Sequence, residues 1–211
     1  MLPLAPGQAG AFLAAAVLIT LAPGPDNLMV LSLGMARGRR HGIAFGLGCA
    51  GGCLSHTLLA ALGVSALIAA SNWAFTALKL CGGAYLIWLG IAALRHAGTA
   101  PSIAADGRPE RSPRALFLRG LLANAINPKV ILFFLAFLPQ FVEPARGAVA
   151  WQTMQLGLLF AAQAALIFAA IGHFAGRIGQ RLAAMPGLAG GLERAAGGIF
   201  IVLGIRLVLA R

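Results

Sequence analysis

Long apolar runs separated by shorter polar segments make up the hydrophobic pattern of this chain. Each run can supply the roughly 20 apolar residues that a helix needs to cross a bilayer. Because the runs are continuous, and do not alternate between apolar and polar positions over segments of about 10 residues, they predict helices rather than barrel strands. We predict an all-α integral membrane protein with six transmembrane helices, at Ala9–Met35, Ile43–Ala69, Trp73–Leu94, Ala115–Leu138, Val149–Phe174 and Leu192–Leu209.

The composition supports a membrane protein. Of the 211 residues, 60% are hydrophobic and 10% are charged, whereas a soluble domain carries about 25% charged residues. A net charge of +11 would suggest nucleic-acid binding in a soluble domain. Here the basic residues lie between the apolar runs, as the positive-inside rule describes. We therefore expect a lipid bilayer as a partner and no nucleic acid.

The loop charges predict how the chain is oriented. The first, third and fifth loops are rich in arginine, the second has no charge, and the fourth has Arg146 beside Glu143. The odd-numbered loops are therefore expected in the cytoplasm, which places both termini outside. The N-terminal segment has none of the Lys or Arg typical of a secretory signal, so we expect the first run to be retained. If that run failed to cross, five spans would leave the N-terminus inside.

Proline breaks interrupt the first and fourth runs. Pro23, Gly24 and Pro25 break the first run, and Pro128 after Asn127 breaks the fourth. Proline cannot continue a helix, because it has no N–H and its ring clashes with the preceding turn, but it suits the first position of a new helix. We expect each break to end one half-helix and to begin another.

The two breaks belong to a pattern that repeats along the chain. A cation, a Gly-Gly pair three residues later and then Leu-Gly-Ile recur in the third and sixth runs, starting at Lys79 and Arg194. Three spans per half is an odd number, so the second half must enter the membrane in the opposite orientation. We predict one transporter domain over residues 1–211, with inverted three-helix repeats at about 9–95 and 115–211 and a cytoplasmic linker at about 96–114.

Charged residues of opposite sign follow the two breaks. Asp26 and Lys129 occupy matching positions, each one residue after a proline, and a charge inside an apolar run is costly and usually functional. Lys129 at a helix N-terminus faces a partial positive charge, which Asp26 or the carboxylate of a bound substrate would relieve. We interpret the two as a polarised site in which Asp26 holds an ammonium group or exchanges a proton. The alternative is a structural pair that pins the repeats together.

Further polar residues lie near the breaks or inside other runs. Amides that flank the breaks can satisfy backbone groups freed by the prolines or contact a polar ligand; they are Asn27, Asn124 and Asn127. A cation near a span end can extend to the interface, and a buried histidine can relay protons. A lone histidine or glutamine in a bundle is, however, more often a hydrogen-bonded packing residue. The secondary candidates are Lys79, His56 and Gln163.

The sequence has no signature of an enzyme, a metal site or a cofactor site. It contains no phosphate-binding loop that ends in Lys-Ser or Lys-Thr, no His-Glu-x-x-His and no Cys-x-x-Cys. Cys49, Cys53 and Cys81 fall in apolar runs, where small packing residues are the simplest interpretation. We expect no catalytic residue, no metal and no cofactor.

Three motifs resemble those of one family of membrane proteins. The segments Thr20–Asn27 and Ala123–Lys129 are similar to the two hallmarks of the lysine exporter (LysE/RhtB) family, and Lys79–Gly90 is similar to its third-span pattern. The resemblance covers essentially the whole chain. It implies export of amino acids or their derivatives from a bacterial cytoplasm, across the inner membrane, driven by the proton motive force.

The leading hypothesis is therefore a multi-pass secondary transporter that exports amino acids or their derivatives by proton antiport, with alternating access around the paired breaks. An efflux carrier for another solute or a metal cation is a second hypothesis, although no His/Cys/Asp cluster favours it. A non-transporting membrane scaffold is a third. The sequence leaves open which amino acid is exported and whether the protein forms a homo-oligomer.

Overall fold

Helices and short connections account for the residues that the computed structural model describes, 4–97 and 112–209, and no β-strand occurs among them. The α-helices are α1 (Pro6–Leu21), α2 (Pro25–Arg37), α3 (Arg39–Ala70), α4 (Asn72–His96), α5 (Pro113–Ala125), α6 (Pro128–Leu132), α7 (Val149–His173), α8 (Ala175–Ala184) and α9 (Pro186–Leu209). Between α6 and α7 lie a π-helical turn at Phe133–Phe137 and 3-10 turns at Leu138–Phe141 and Pro144–Arg146. The predicted all-helical class is confirmed.

Several of these helices are long and apolar enough to cross a bilayer. In the described ranges three qualify singly, at Arg39–Gly63, Thr76–Arg95 and Val149–His173. Two further spans are possible if each of two helix pairs that are bent at a break is counted as one span, which gives as many as five. The sixth predicted span lies in α9, which is not among them and carries Glu193, Arg194 and Arg206. Six spans in two inverted repeats therefore stay a prediction.

Both proline breaks occur where the sequence predicts them. The first bent pair joins α1 to α2 at an angle of 58°, and the second joins α5 to Pro128–Phe141 at 51°. Gly24 and Asn127 are the N-cap residues of the helices that follow, and a proline occupies the next position in each. Asn127 caps α6 through its Oδ1, which accepts from the backbone N–H of Lys129 at 3.0 Å.

Glycines bring the long helices close together, as small residues do in membrane bundles. A Cβ added to Gly83 on α4 would lie 3.0 Å from the carbonyl oxygen of Gly204 on α9, and one added to Gly90 would lie 2.6 Å from that of Gly197. The residue numbers rise along α4 as they fall along α9, so these two helices are antiparallel. Along α3 and α5, by contrast, the residue numbers of the contacting residues rise together. Gly48 approaches Phe117, and His56 reaches Asn124, so α3 and α5 are parallel.

A cluster of arginines lies at one end of the bundle. Gly34 on α2 packs against Ala175 at the start of α8, and Gly172 at the end of α7 packs against Ile43. This end therefore holds the residues that the sequence assigns to the first and fifth loops, Arg37, Arg39, Arg40, Arg177 and Arg181. The opposite end holds the first turns of α1 and α7, where Gln8 bonds to Gln152.

Some predicted boundaries need correction. The fifth loop is not a simple connection, since it contains the amphipathic helix α8, and helical structure resumes at Pro186 rather than at Leu192. The fourth span is not regular beyond its break, because it passes through a π-helical turn before ending at Phe141. Most of the predicted linker at 96–114, namely residues 98–111, lies outside the described residues.

Candidate functional site

Asp26 lies in the first turn of α2, directly after the first break. Its side chain is buried, with 4% of the residue exposed. One carboxylate oxygen, Oδ2, accepts from Asn124 Nδ2 at 2.9 Å and from Asn127 Nδ2 at 3.1 Å. Both amides belong to the second break, where α5 ends and α6 begins. The N-terminus of α2 adds a favourable partial positive charge to these two hydrogen bonds.

Lys129 lies in the first turn of α6, directly after the second break, and is buried. Its Nζ donates to the carbonyl oxygens of Ile19 and Ala22, each at 3.3 Å, at the end of α1. A helix C-terminus carries a partial negative charge, which stabilises a cation. The sequence suggested Asp26 or a substrate carboxylate as the anionic partner of Lys129. Among the described residues, Asp26 and Lys129 make no direct ion pair, and backbone carbonyls hold the ammonium instead.

The contacts of the two breaks are therefore reciprocal. The carboxylate that follows the first break is held by side-chain amides of the second, and the ammonium that follows the second is held by carbonyls of the first. Gly24 allows this close approach, because a Cβ at that position would lie 2.9 Å from Lys129 Nζ. Removing either break would leave a buried charge without its partners.

Asn27 differs from the other two amides. Its Nδ2 donates to the carbonyls of Thr20 at 2.8 Å, Ala22 at 3.2 Å and Leu21 at 3.3 Å. These are carbonyls at the end of α1 that the break leaves without a helical partner. Asn27 thus ties the start of α2 to the end of α1, and Asn124 and Asn127 are the amides that contact Asp26.

The secondary candidates divide into two groups. His56 is buried on α3 and donates from Nε2 to the Asn124 carbonyl at 3.0 Å, beside the second break. Gln163 is buried on α7, and its Nε2 donates to Thr20 Oγ1 at 2.8 Å, just before the first break. Lys79 is half-buried on α4 and does not line the cavity described next. The structure thus brings His56 and Gln163 to the breaks and leaves Lys79 apart from them.

A small internal cavity of about 20 Å³ lies between the breaks. Its polar wall consists of Thr20, Asp26, Cys53, Asn124 and Lys129. Its apolar wall consists of Ile19, Val130, Phe133, Phe160, Ala164 and Phe168. A cavity of this size has room for about one water molecule and is far too small for an amino acid. An amino acid therefore does not fit beside these polar groups in this conformation, and it could bind them only after the helices move.

Two groups of functional candidates were missed in the sequence. Cys53 lines the cavity and donates from Sγ to Asn124 Oδ1 at 3.5 Å, although its apolar surroundings suggested packing alone. Gln8 and Gln152 are buried and hydrogen-bonded across the end of the bundle that lacks the arginine cluster. Both glutamines lie at the edge of an apolar run. A glutamine at that position is also typical of an exposed helix end, so the sequence did not single them out.

The residues at the breaks suit a polar solute better than a metal ion. Among residues 4–97 and 112–209, no three His, Cys, Asp or Glu side chains are grouped so that they could hold a metal. Amides, an ammonium and one carboxylate instead offer separate donor and acceptor groups on one wall.

Comparison with known proteins identifies the family. Residues 17–211 match the family model of the LysE type translocator. The chain belongs to the LysE type translocator family. This family is one of translocators and not of enzymes, and the resemblance seen in the three sequence motifs is confirmed.

Relatives of this LysE type translocator cover nearly its full length. It is 34% identical to an uncharacterized membrane protein of Vibrio cholerae, over 95% of this chain and 96% of the relative. It is 32% identical to the homoserine/homoserine lactone efflux protein of Salmonella typhimurium, over 95% and 96%. It is 30% identical to the threonine efflux protein of Escherichia coli K12, over 92% and 94%. No solved structure matches the chain.

Proposed function

We propose that this LysE type translocator is a secondary transporter of the bacterial inner membrane that exports amino acids or their derivatives in exchange for protons. The observation that carries the proposal is the small cavity on which Asp26 and Lys129 lie without pairing directly. A zwitterion presents an ammonium and a carboxylate, and these two side chains have the complementary charges. The names of the efflux relatives support the same substrate class.

Substrate binding would use the two charged groups in different ways. The ammonium of the substrate would bind Asp26, and its carboxylate would bind Lys129 together with the free N–H groups at the start of α6. Asn124 and Asn127 hold the Asp26 carboxylate in place through Oδ2. Among the described residues, no donor reaches its other oxygen, which leaves Oδ1 for an ammonium group or a proton.

The helix directions support alternating access by two inverted repeats. The pair α3 and α5 is parallel, α1 and α7 are parallel through the bonds of Gln8 to Gln152 and Thr20 to Gln163, and α4 is antiparallel to α9. Six spans that cross alternately have these directions. The broken helices would then meet near the midplane, where inverted-repeat transporters bind their substrates.

Proton coupling would follow from a carboxylate that serves two partners in turn. Asp26 can hold either a proton or the substrate ammonium, because both neutralise the same oxygen. A proton arriving from outside would release the substrate outward, and loss of that proton to the cytoplasm would prepare Asp26 for the next substrate. The inward direction of the proton gradient would thereby drive export.

The test is transport by purified protein in proteoliposomes with an imposed pH gradient and a panel of labelled amino acids. We expect Asp26→Asn to abolish transport of every substrate while the protein still inserts and melts normally. Lys129→Ala should be similarly damaging. The matched control is Glu143→Gln, which neutralises an acidic residue far from the cavity and should transport normally. Wild-type rates in Asp26→Asn would refute the mechanism, and wild-type rates in Lys129→Ala would leave Lys129 a structural role.

A further inference from the structure

One buried acceptor on α7 has no hydrogen-bond partner in the described part of the chain. It is the Oε1 of Gln163, a residue that is only 7% exposed. The Nε2 of the same amide donates to Thr20 Oγ1 at 2.8 Å. Buried polar atoms in folded proteins nearly always have a partner, and an exception calls for an explanation.

The hydroxyl of Thr20 is also incompletely used. Thr57 and Thr153 each donate to the carbonyl four residues earlier in their own helix, at 2.9 Å. Thr20 makes no such bond within the described residues and accepts from Gln163 instead, so its own hydrogen remains to be donated. The two side chains together therefore offer one donor and one acceptor.

Thr20 lines the cavity between the breaks, and Gln163, which bonds to Thr20, lies next to residues that line it. Thr20 is part of the cavity wall, as are Phe160 and Ala164, which come three residues before and one residue after Gln163 on α7. The charged groups Asp26 and Lys129 lie on the same cavity. A zwitterion bound by those two charges would therefore carry its side chain close to Thr20 and Gln163.

We propose that Thr20 and Gln163 form the subsite that binds a hydroxyl group on the side chain of the substrate, an inference that rests on the proposed function. An aliphatic hydroxyl is at once a donor and an acceptor, which matches the pair. An ammonium or guanidinium group has only donors and would leave the Thr20 hydrogen unused. A carboxylate has only acceptors and would leave Gln163 Oε1 unsatisfied, and a methyl group would satisfy neither.

Such a subsite predicts discrimination between isosteric side chains. A site that hydrogen-bonds a substrate hydroxyl rejects an apolar analogue of the same shape, because its own polar groups are then left unpaired. Threonine and valine have nearly the same shape and differ by a hydroxyl in place of a methyl group. The ratio of their transport rates therefore reports on the subsite itself, while general loss of activity affects both substrates.

The experiment measures threonine and valine transport in proteoliposomes for the wild type, Gln163→Met and Thr20→Val. We expect the wild type to prefer threonine. Each variant should lower the ratio of threonine to valine transport by about tenfold, the effect of losing one good hydrogen bond, through slower threonine transport. Thr20→Ser retains the hydroxyl and should retain the ratio. The control is Thr153→Val, which removes a buried hydroxyl bonded within its own helix and should leave the ratio unchanged.

The outcomes separate this inference from the function on which it rests. If the wild type carries threonine and valine equally, or carries only amino acids without a side-chain hydroxyl, the subsite is refuted and the transporter stands. If Gln163→Met melts at a lower temperature with an unchanged ratio, the pair is structural and the inference is overturned. If the wild type carries no amino acid at all, both proposals fail.

Discussion

At the scale of single residues, each break in the bundle stabilises the charged side chain that follows the other break. A buried charge is costly unless charged or polar partners surround it. Asp26 has its amide donors on the second break, and Lys129 has its carbonyl acceptors on the first. Neither half of the chain can therefore complete its own charged site, and any movement of one break relative to the other must exchange these partners for a substrate, a proton or water.

Gly24 provides a test of this reciprocal arrangement. Replacing it with alanine would place a Cβ 2.9 Å from Lys129 Nζ, closer than such atoms approach, so we expect the ammonium to shift and to lose a hydrogen bond to its carbonyl partners. We expect Gly24→Ala to lose about 2 kcal/mol of stability, the contribution of a hydrogen bond to a charged group, and to slow transport at least about tenfold. Melting temperature and proteoliposome transport measure the two effects.

A matched glycine on the neighbouring half-helix controls for the added methyl group. Gly10→Ala on α1 places a Cβ where nothing lies within 4 Å, and alanine favours a helix more than glycine does. This variant should transport normally and be no less stable than the wild type. Equal behaviour of Gly10→Ala and Gly24→Ala would show that Lys129 does not depend on the space beside Gly24.

The residues of the candidate site differ in how far the sequence could predict them. Asp26 and Lys129 are charges next to prolines in apolar runs, so both could be found and paired from the repeat. The carbonyl acceptors of Lys129 could not be predicted, because every residue has a backbone carbonyl and residue type does not show which ones bind. The bond from Gln163 to Thr20 joins residues 143 positions apart, and only the packing of α1 against α7 brings them together.

At the scale of elements, the local sequence determines where the half-helices begin and end, whereas packing determines the structure of the segments around them. Both breaks are predictable because proline ends one helix and begins the next. The π-helical turn at Phe133–Phe137 was not predicted, since it arises where aromatic rings pack around Phe133, with Phe134, Phe137 and Phe160 among them. The helix α8 was also missed, because its Arg177 and Arg181 were interpreted as loop charges.

The start of α7 joins three elements through one side chain. Gln152 donates from Nε2 to the carbonyls of Glu143 and Gly147, at 3.0 and 2.7 Å. Its Oε1 accepts from the backbone N–H of Glu143 at 3.0 Å and from Gln8 Nε2 at 2.9 Å. These contacts hold the start of α1 and the 143–147 segment against α7. They would close the end of the bundle opposite the arginine cluster.

We expect Gln152→Ala to open that end more often. The change removes the hydrogen bonds of Gln152 to the backbone of Glu143 and Gly147 and to Gln8, each of which contributes about 0.5–1.5 kcal/mol, and so weakens the closed conformation. With Cys49 and Cys81 changed to serine, Cys53 is the single thiol and lines the cavity. Its labelling from outside by a small, membrane-impermeant thiol reagent should be at least about tenfold faster in Gln152→Ala.

A neighbouring polar residue on the same helix serves as the control for this change. Thr153→Ala, in the same cysteine background, removes a hydroxyl whose bond within the described part of the chain is to the Val149 carbonyl of its own helix. It should leave the labelling rate of Cys53 unchanged. Unaltered labelling in Gln152→Ala would mean that these hydrogen bonds stabilise the fold without controlling access to the cavity.

At the scale of the whole molecule, helix directions and charge distribution agree with one topology. The first bent pair begins beside Gln152 and Gln155 and ends beside α8, so it runs from one end of the bundle to the other. The second runs the opposite way, from the arginine end to Phe141, which accepts from Gln8. From the positive-inside rule we propose that the arginine end lies in the cytoplasm and the start of α1 outside. In this proposed topology the first pair crosses the membrane.

Cysteine labelling tests that topology, because two exposed glycines at opposite ends of the bundle have open space around them. A Cβ at Gly7 or at Gly176 would meet nothing within 4 Å, so Gly7→Cys and Gly176→Cys should not disturb the fold. In spheroplasts, we expect a membrane-impermeant maleimide to label Gly7→Cys at once and Gly176→Cys only after permeabilisation. The wild type, in which Cys49 and Cys53 are buried and Cys81 is exposed, gives the background. Labelling of Gly7→Cys only after permeabilisation would place the N-terminus inside, turn α1 and α2 into a re-entrant pair, and remove the inverted symmetry on which alternating access at the two breaks depends.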